Sequence, residues 1–352
     1  VYLRDKDQRK LHKLAFYDQH TGLPNHRFFN ERYLSDKFKE QPKLNLILLR
    51  LDNFKQITGA FGHQTGESYV QAVATWLVNS LARENKKIDI YQFGEVSWLI
   101  VLPASIQEIE LSDLISLLLQ SATAPISIDG RELSTTISIG YCEFPKQAKT
   151  INEALRNAET ALLEARKASG NTARQFQLKM YVKALENIDI EHALHSALHK
   201  NELSLHWQPK YDANTCEPVS AEALLRWKYN GEYISPARFI PLAEKSGFIV
   251  DLGQWVLEKS CEQWMDWFNK GLNPLPIAVN ISAIQFQDLR FSEQVKMVLD
   301  ATGMPANMLE LEITEEAATD KPERIIQTMN ELHKIGVSIA LDDFGTGYSS
   351  LS

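Results

Sequence analysis

The second half of the chain repeats one pattern, a short strand-like segment followed by a stretch with helical spacing. The strand-like segments are Leu203–Gln208, Val219–Trp227, Ile277–Ile281, Leu309–Ile313 and Val337–Leu341. Strands that alternate with helices build a parallel sheet or a (β/α) barrel. Helix boundaries between the strands agree with this. Ser235 and Pro236 read as an N-cap followed by proline at the first helical position, and Gly247 closes that helix. A further helix over about Lys183–His199 precedes the first strand.

Several of these strands carry a carboxylate or an amide near the C-terminal end: Glu222, Asn280, Glu312 and the pair Asp342-Asp343. Side chains alternate faces along a strand. Glu222, Leu224 and Arg226 therefore share a face, as do Ala278, Asn280 and Ser282, and Glu310, Glu312 and Thr314. In a (β/α) barrel, catalytic groups come from the C-terminal ends of different strands. Hard oxygen ligands gathered there suit Mg²⁺ or Mn²⁺, and two such ions activate water for phosphoryl transfer. An arginine on the same rim pairs with phosphate. Each residue also has a plainer reading. Asp342-Asp343 before Phe344-Gly345-Thr346-Gly347 is an ordinary strand-to-turn sequence, and a lone arginine is usually a surface ion-pair partner. Agreement among four strand ends favours a site, but periodicity names no substrate.

The first half has another rhythm. Residues 6–17 read as the end of a helix, followed by a turn-rich entry over Asp18–Asn25. Leu44–Leu51 is a buried strand, residues 67–82 a helix, and Ile88–Tyr91 and Trp98–Leu102 two strands joined at Gly94. Leu111–Ala122 is a helix. Ile126–Ile128 and Ser134–Tyr141 flank Asp129-Gly130, a two-residue hairpin signal. A capping box at Thr150–Glu153 opens a helix to about Ala168, which Gly170-Asn171 ends. This α/β unit closes near residue 176.

Two units fit a length of 352 residues. With 37 Lys plus Arg against 45 Asp plus Glu, the net charge of −8 argues against direct nucleic-acid binding, which wants a basic face. Cys142, Cys216 and Cys261 are odd in number and scattered, which argues against a disulfide scaffold or zinc ribbon and fits a reducing cytoplasm. No apolar run reaches the roughly 18 residues of a membrane span. The start at Val1, without Met, is expected of a piece of a longer protein whose upstream part is a sensor or a membrane anchor.

Ala221-Glu222-Ala223-Leu224-Leu225-Arg226-Trp227 resembles the signature of EAL domains, the cyclic-di-GMP phosphodiesterases. Trp207-Gln208-Pro209-Lys210, the stretch Pro236–Gly247, Asn280-Ile281-Ser282, Glu312–Glu315 and Asp342–Gly347 follow the family's order. The resemblance implies a barrel over about residues 177–352 with metals on Glu222, Asn280, Glu312 and Asp342. Asp343 helps at the second metal, and Glu315 braces the Asp342–Gly347 loop. Gln208 and Arg226 contact the dinucleotide. Five of the family's eight strands are expected within these residues, since such a barrel needs roughly 250 residues. The later strands, with a Lys, a further Glu and a Gln, are expected beyond Ser352.

Asp18, Thr21-Gly22-Leu23-Pro24-Asn25, Leu51-Asp52-Asn53-Phe54-Lys55 and Phe61-Gly62-His63 resemble GGDEF domains, the diguanylate cyclases, over about residues 14–176. Residues 1–13 are then the remnant of a signalling helix. The family's signature loop falls at Gly94-Glu95-Val96-Ser97-Trp98, where its second glycine is Glu95 and its two acids are Val96 and Ser97. Its metal-binding Asp is Arg50, its guanine-contacting Asn is Thr58, and the next Asp of the base pocket is Glu67. Its inhibitory Arg-x-x-Asp falls at Asn85–Ile88 and is absent. Magnesium binding needs carboxylates, so the resemblance implies a cyclase-like domain without cyclase activity, with GTP sensing or dimerisation as its role.

Three functions compete. The first is a two-metal phosphodiesterase that opens cyclic-di-GMP to the linear dinucleotide, in a homodimer. The second is a catalytically inactive cyclic-di-GMP receptor or signalling scaffold. The third is a structural partner of an RNA-turnover or pilus machine.

Overall fold

A computed structural model of the protein describes residues 11–34, 43–82, 88–103, 105–167, 170–314 and 322–342. The chain divides into two compact units, residues 1–185 and 186–352.

The first unit contains β1 (Leu44–Leu51), β2 (Asp89–Gln92), β3 (Ser97–Pro103), β4 (Ile126–Ile128), β5 (Arg131–Leu133), β6 (Ile137–Phe144) and β7 (Ala173–Gln175). Five of them form a sheet in the order β2-β3-β1-β6-β7, in which β6 and β7 are parallel and the other neighbours antiparallel. Both faces are covered. Ile47 and Leu49 pack with Tyr69, Val73 and Leu77 of the helix His63–Ala82. Leu46 and Leu48 pack with Ala158 and Leu162 of the helix Ile151–Lys167. A strand buried on both faces reads as a near-continuous apolar run, which is how β1 reads, with Asn45 and Arg50 its two residues that are not leucine or isoleucine. Gly140 permits the close approach of that second helix, since a Cβ there would lie 2.1 Å from Leu162 N and 2.2 Å from Ala158 O.

Three expectations change here. Asp129 and Gly130, at φ +51° and +77°, do turn a hairpin, but β4 pairs with β5 rather than with Ser134–Tyr141. The later segment is β6, which is drawn into the central sheet by pairing with all eight residues of β1. The helix expected at 67 begins at His63, and a further helix, Phe54–Phe61, precedes it. At the capping box, Glu153 N donates to Thr150 Oγ1 (3.1 Å), while the Glu153 carboxylate accepts from Lys149 N (2.7 Å) rather than from Thr150.

The second unit contains β8 (Leu203–Tyr211), β9 (Pro218–Tyr229), β10 (Glu232–Ile234), β11 (Ile277–Asn280), β12 (Leu309–Thr314) and β13 (Ser338–Asp342). β9, β11, β12 and β13 are parallel and adjacent in that order. β8 and β10 are antiparallel to β9, so the sheet is mixed where a parallel one was a candidate. The connections dictate this, because a short turn can only reverse a strand. Asn230 and Gly231, at φ +51° and +88°, form a two-residue turn between β9 and β10. Between β8 and β9, Asp212 Oδ1 accepts from the backbone N–H groups of Asn214 and Thr215, both at 2.9 Å. One face of the sheet is apolar. Ala223, Leu225, Trp227, Val279, Leu311 and Ile313 pack against Leu252, Val256 and Leu257 of the helix Ile249–Asn269 and Val295 of the helix Phe291–Thr302.

Candidate functional site

The other face of that sheet is polar, and strand register builds it. Gln208 lies opposite Glu222, and Ala278 lies opposite both Glu222 and Glu310. Asn280 lies opposite Glu312, and Asp342 opposite Thr314. With a side-chain period of two, Gln208, Lys210, Glu222, Arg226, Asn280, Glu310, Glu312 and Asp342 all share this face. Asn280 Nδ2 donates to Glu222 Oε1 at 2.6 Å. Lys210 Nζ donates to Glu312 Oε1 and stands 3.9 Å from Glu310 Oε1. Glu312 is 6% exposed.

The electrostatics follow from this crowding. Burial pushes the Glu312 carboxyl above its ordinary range. The hydrogen bond and charge of Lys210 pull it back, and Glu222 and Asp342 add to the rise. Burial works against the Lys210 ammonium, but Glu312, Glu310 and Glu222 outweigh it and raise its pKa. A cavity of about 290 Å³ is lined by Arg226, Asn280, Ser282, Glu312 and Asp342 together with Ile240 and Gly253.

Glu222 departs from the expected position at a strand end. It is the fifth residue of β9, because pairing with β8 and β10 carries β9 on to Tyr229. Glu315 and Asp343 lie outside the described residues. Lys210 and Glu310 are brought into the cluster without a role having been assigned to either from sequence. The signal was present, since each sits two residues from a chosen one, Gln208 and Glu312.

The donor set Glu222, Asn280, Glu312 and Asp342 supplies the hard oxygens that Mg²⁺ or Mn²⁺ requires, and the face already collects one cation, the Lys210 ammonium. Among the described residues, no three carboxylate, histidine or cysteine groups converge as they stand on a point that could hold an ion. The donor chemistry fits a divalent cation.

In the first unit, Arg50, Val96 and Ser97 stand where the resemblance expects metal-binding acids. Val96 and Ser97 are both 8% exposed, and Val96 packs in the core. Arg50 is exposed. A neighbouring cavity of about 200 Å³ is lined by Asp18, His20, Thr58, His63, Glu67 and Glu95. Asp52 is committed to structure. Its carboxylate accepts from Thr136 Oγ1 (2.8 Å), Ser138 Oγ (2.8 Å) and Asn171 N (3.1 Å).

Comparison with known proteins follows the same division. The family description "Diguanylate cyclase, GGDEF domain" matches residues 15–172, and "EAL domain" matches residues 191–352. The cyclic di-GMP phosphodiesterase NbdA of Pseudomonas aeruginosa is 33% identical over 352 residues, covering 99% of this chain and 44% of the relative. The bifunctional diguanylate cyclase/cyclic di-GMP phosphodiesterase MucR of the same organism is 31% identical over 347 residues, covering 97% of this chain and 50% of the relative. The chain thus spans about half the length of the curated relatives it matches. A solved GGDEF–EAL structure of Vibrio cholerae LapD, bound to c-di-GMP, matches with a TM-score of 0.63 at 19% identity, covering 100% of this chain and 82% of that one. That likeness is one of fold. Among the described residues, no helix is long and apolar enough to cross a membrane. Residues 15–172 belong to the GGDEF family and residues 191–352 to the EAL family, so the chain is a GGDEF–EAL tandem.

Proposed function

We propose that the protein is a cyclic-di-GMP phosphodiesterase that uses Mg²⁺ or Mn²⁺ and acts as a homodimer, with a GGDEF domain that makes no cyclic-di-GMP. One observation carries the reading. Glu222, Asn280, Glu312 and Asp342 come from four adjacent parallel strands and share a face with Arg226 and Gln208. Glu222, Asn280, Glu312 and Asp342 would hold the ions, with Asp343 beside Asp342 and Glu315 as the loop brace. Divalent cations, when bound, supply acidified water and charge stabilisation for the phosphoryl group. Arg226 pairs with a phosphate oxygen and Gln208 hydrogen-bonds the dinucleotide.

For the GGDEF domain, burial of Val96 and Ser97 where the resemblance expects carboxylates supports loss of the cyclase reaction. The cavity beside Thr58 and Glu67 is the place where GTP would act as a regulator.

The test incubates the protein with cyclic-di-GMP and Mn²⁺ or Mg²⁺ and follows the linear dinucleotide by chromatography, with Glu222→Ala as control. Metal-dependent product that vanishes in the control is expected. No product with either metal would overturn the reading, and retained ligand binding in that case would favour the receptor function. Formation of cyclic-di-GMP from GTP would refute the inactive-cyclase half.

A further inference from the structure

Lys210 ends the run Trp207-Gln208-Pro209-Lys210, and the phosphodiesterase reading gives it no task. The register of β8 on β9 nevertheless carries it onto the polar face. Its ammonium bonds Glu312 Oε1, stands 3.9 Å from Glu310 Oε1, and feels the charge of Glu222. Glu312 is 6% exposed, and a carboxylate that buried needs a counter-charge. Lysine is a compact point charge on a flexible stem, so it can leave a carboxylate without moving the backbone. A divalent cation accepted by Glu312 meets a positive charge already bonded to the same oxygen.

We propose that Lys210 is a positioning residue, a built-in counter-ion that holds Glu310 and Glu312 together and competes with the divalent cation for Glu312. Its side chain occupies Glu312 before the cation arrives and gives that oxygen up when the cation binds. The cluster is thereby kept from spreading under its own repulsion, at the expense of cation affinity. The inference rests on the proposed metal role of Glu312.

The experiment titrates Mn²⁺ into the full chain by calorimetry and records melting in EDTA and in Mn²⁺, for wild type, Lys210→Met and Lys210→Arg. The Met variant is expected to bind Mn²⁺ about tenfold more tightly, to melt lower in EDTA, and to gain more on adding Mn²⁺. The Arg variant, which keeps the charge, is expected to behave as wild type. A merely structural lysine would lower the melting temperature of the Met variant and leave cation affinity equal or weaker, which would overturn the competition. Absence of Mn²⁺ binding in both wild type and variant would overturn the metal reading and the competition with it. Lys210→Gln, which keeps a polar group against Glu312, gives the same comparison should the Met variant fail to fold.

Discussion

Gly253, on the helix Ile249–Asn269, lies directly against the side chain of Gln285. A Cβ at position 253 would come within 1.9 Å of Gln285 Nε2. Gln285 in turn forms a capping box with Ser282, whose Oγ donates to Gln285 Oε1 at 3.0 Å. Ser282 is two residues beyond Asn280, so a helix on the apolar side sets the chain that leaves the polar face. Gly253→Ala is expected to push Gln285 off Ser282 and destabilise the second unit by about 1–3 kcal/mol, with weaker divalent-cation binding. Urea unfolding and Mn²⁺ titration measure both. Unchanged stability would mean that Gln285 has room to move.

Arg226 makes its internal hydrogen bond to the carbonyl of its own neighbour, Leu225, at 2.9 Å. Its removal therefore costs the fold little. If it pairs with phosphate, Arg226→Ala is expected to lower kcat/KM for cyclic-di-GMP by roughly 10- to 100-fold, the worth of one charge-assisted hydrogen bond, with Tm unchanged. Steady-state kinetics beside a melting curve decide it. An unaltered kcat/KM removes Arg226 from the substrate site.

Asp52 ties the end of β1 to the start of β6 and to the turn at Gly170-Asn171. Gly170 sits at φ +74° and would place a Cβ 2.7 Å from Asp52 Oδ2. Asp52→Ala leaves three donors without their partner in a site 6% exposed. The expected loss is about 3 kcal/mol. A loss below ~1 kcal/mol in chemical denaturation would show that water replaces the carboxylate.

Burial pushes the Cys142 and Cys261 thiols up to about 12, whereas Cys216 is exposed. At pH 8, a thiol with so high a pKa supplies almost no thiolate, the reactive form. One equivalent per chain is expected to react rapidly with a disulfide reagent in the native protein, and three in denaturant. Rapid reaction of a second thiol before unfolding would contradict the burial of both.

The sequence was most legible where one residue type has one physical use. Gly247 closes its helix at φ +80° as expected, and β1 reads as buried because leucine and isoleucine fill it. The hairpin at Asp129-Gly130 was legible as a turn but not in its partner, because the turn fixes a reversal and says nothing of which later strand the central sheet will claim. Asn230-Gly231 carries the same signal and makes β10 antiparallel to β9. The (β/α) alternation masked it.

By itself, the sequence determined the two families, most of the strand segments and the alternation that puts Glu222 with Arg226 and Glu310 with Glu312. These follow from local periodicity and from motifs whose order is written along the chain. Only the tertiary structure decided that Lys210, far from those acids in sequence, lies among them, that Glu222 sits within β9 rather than at its end, and that Val96 is core. Each depends on register between strands. Hydrogen bonding across a sheet sets register between distant segments, and no single segment encodes it.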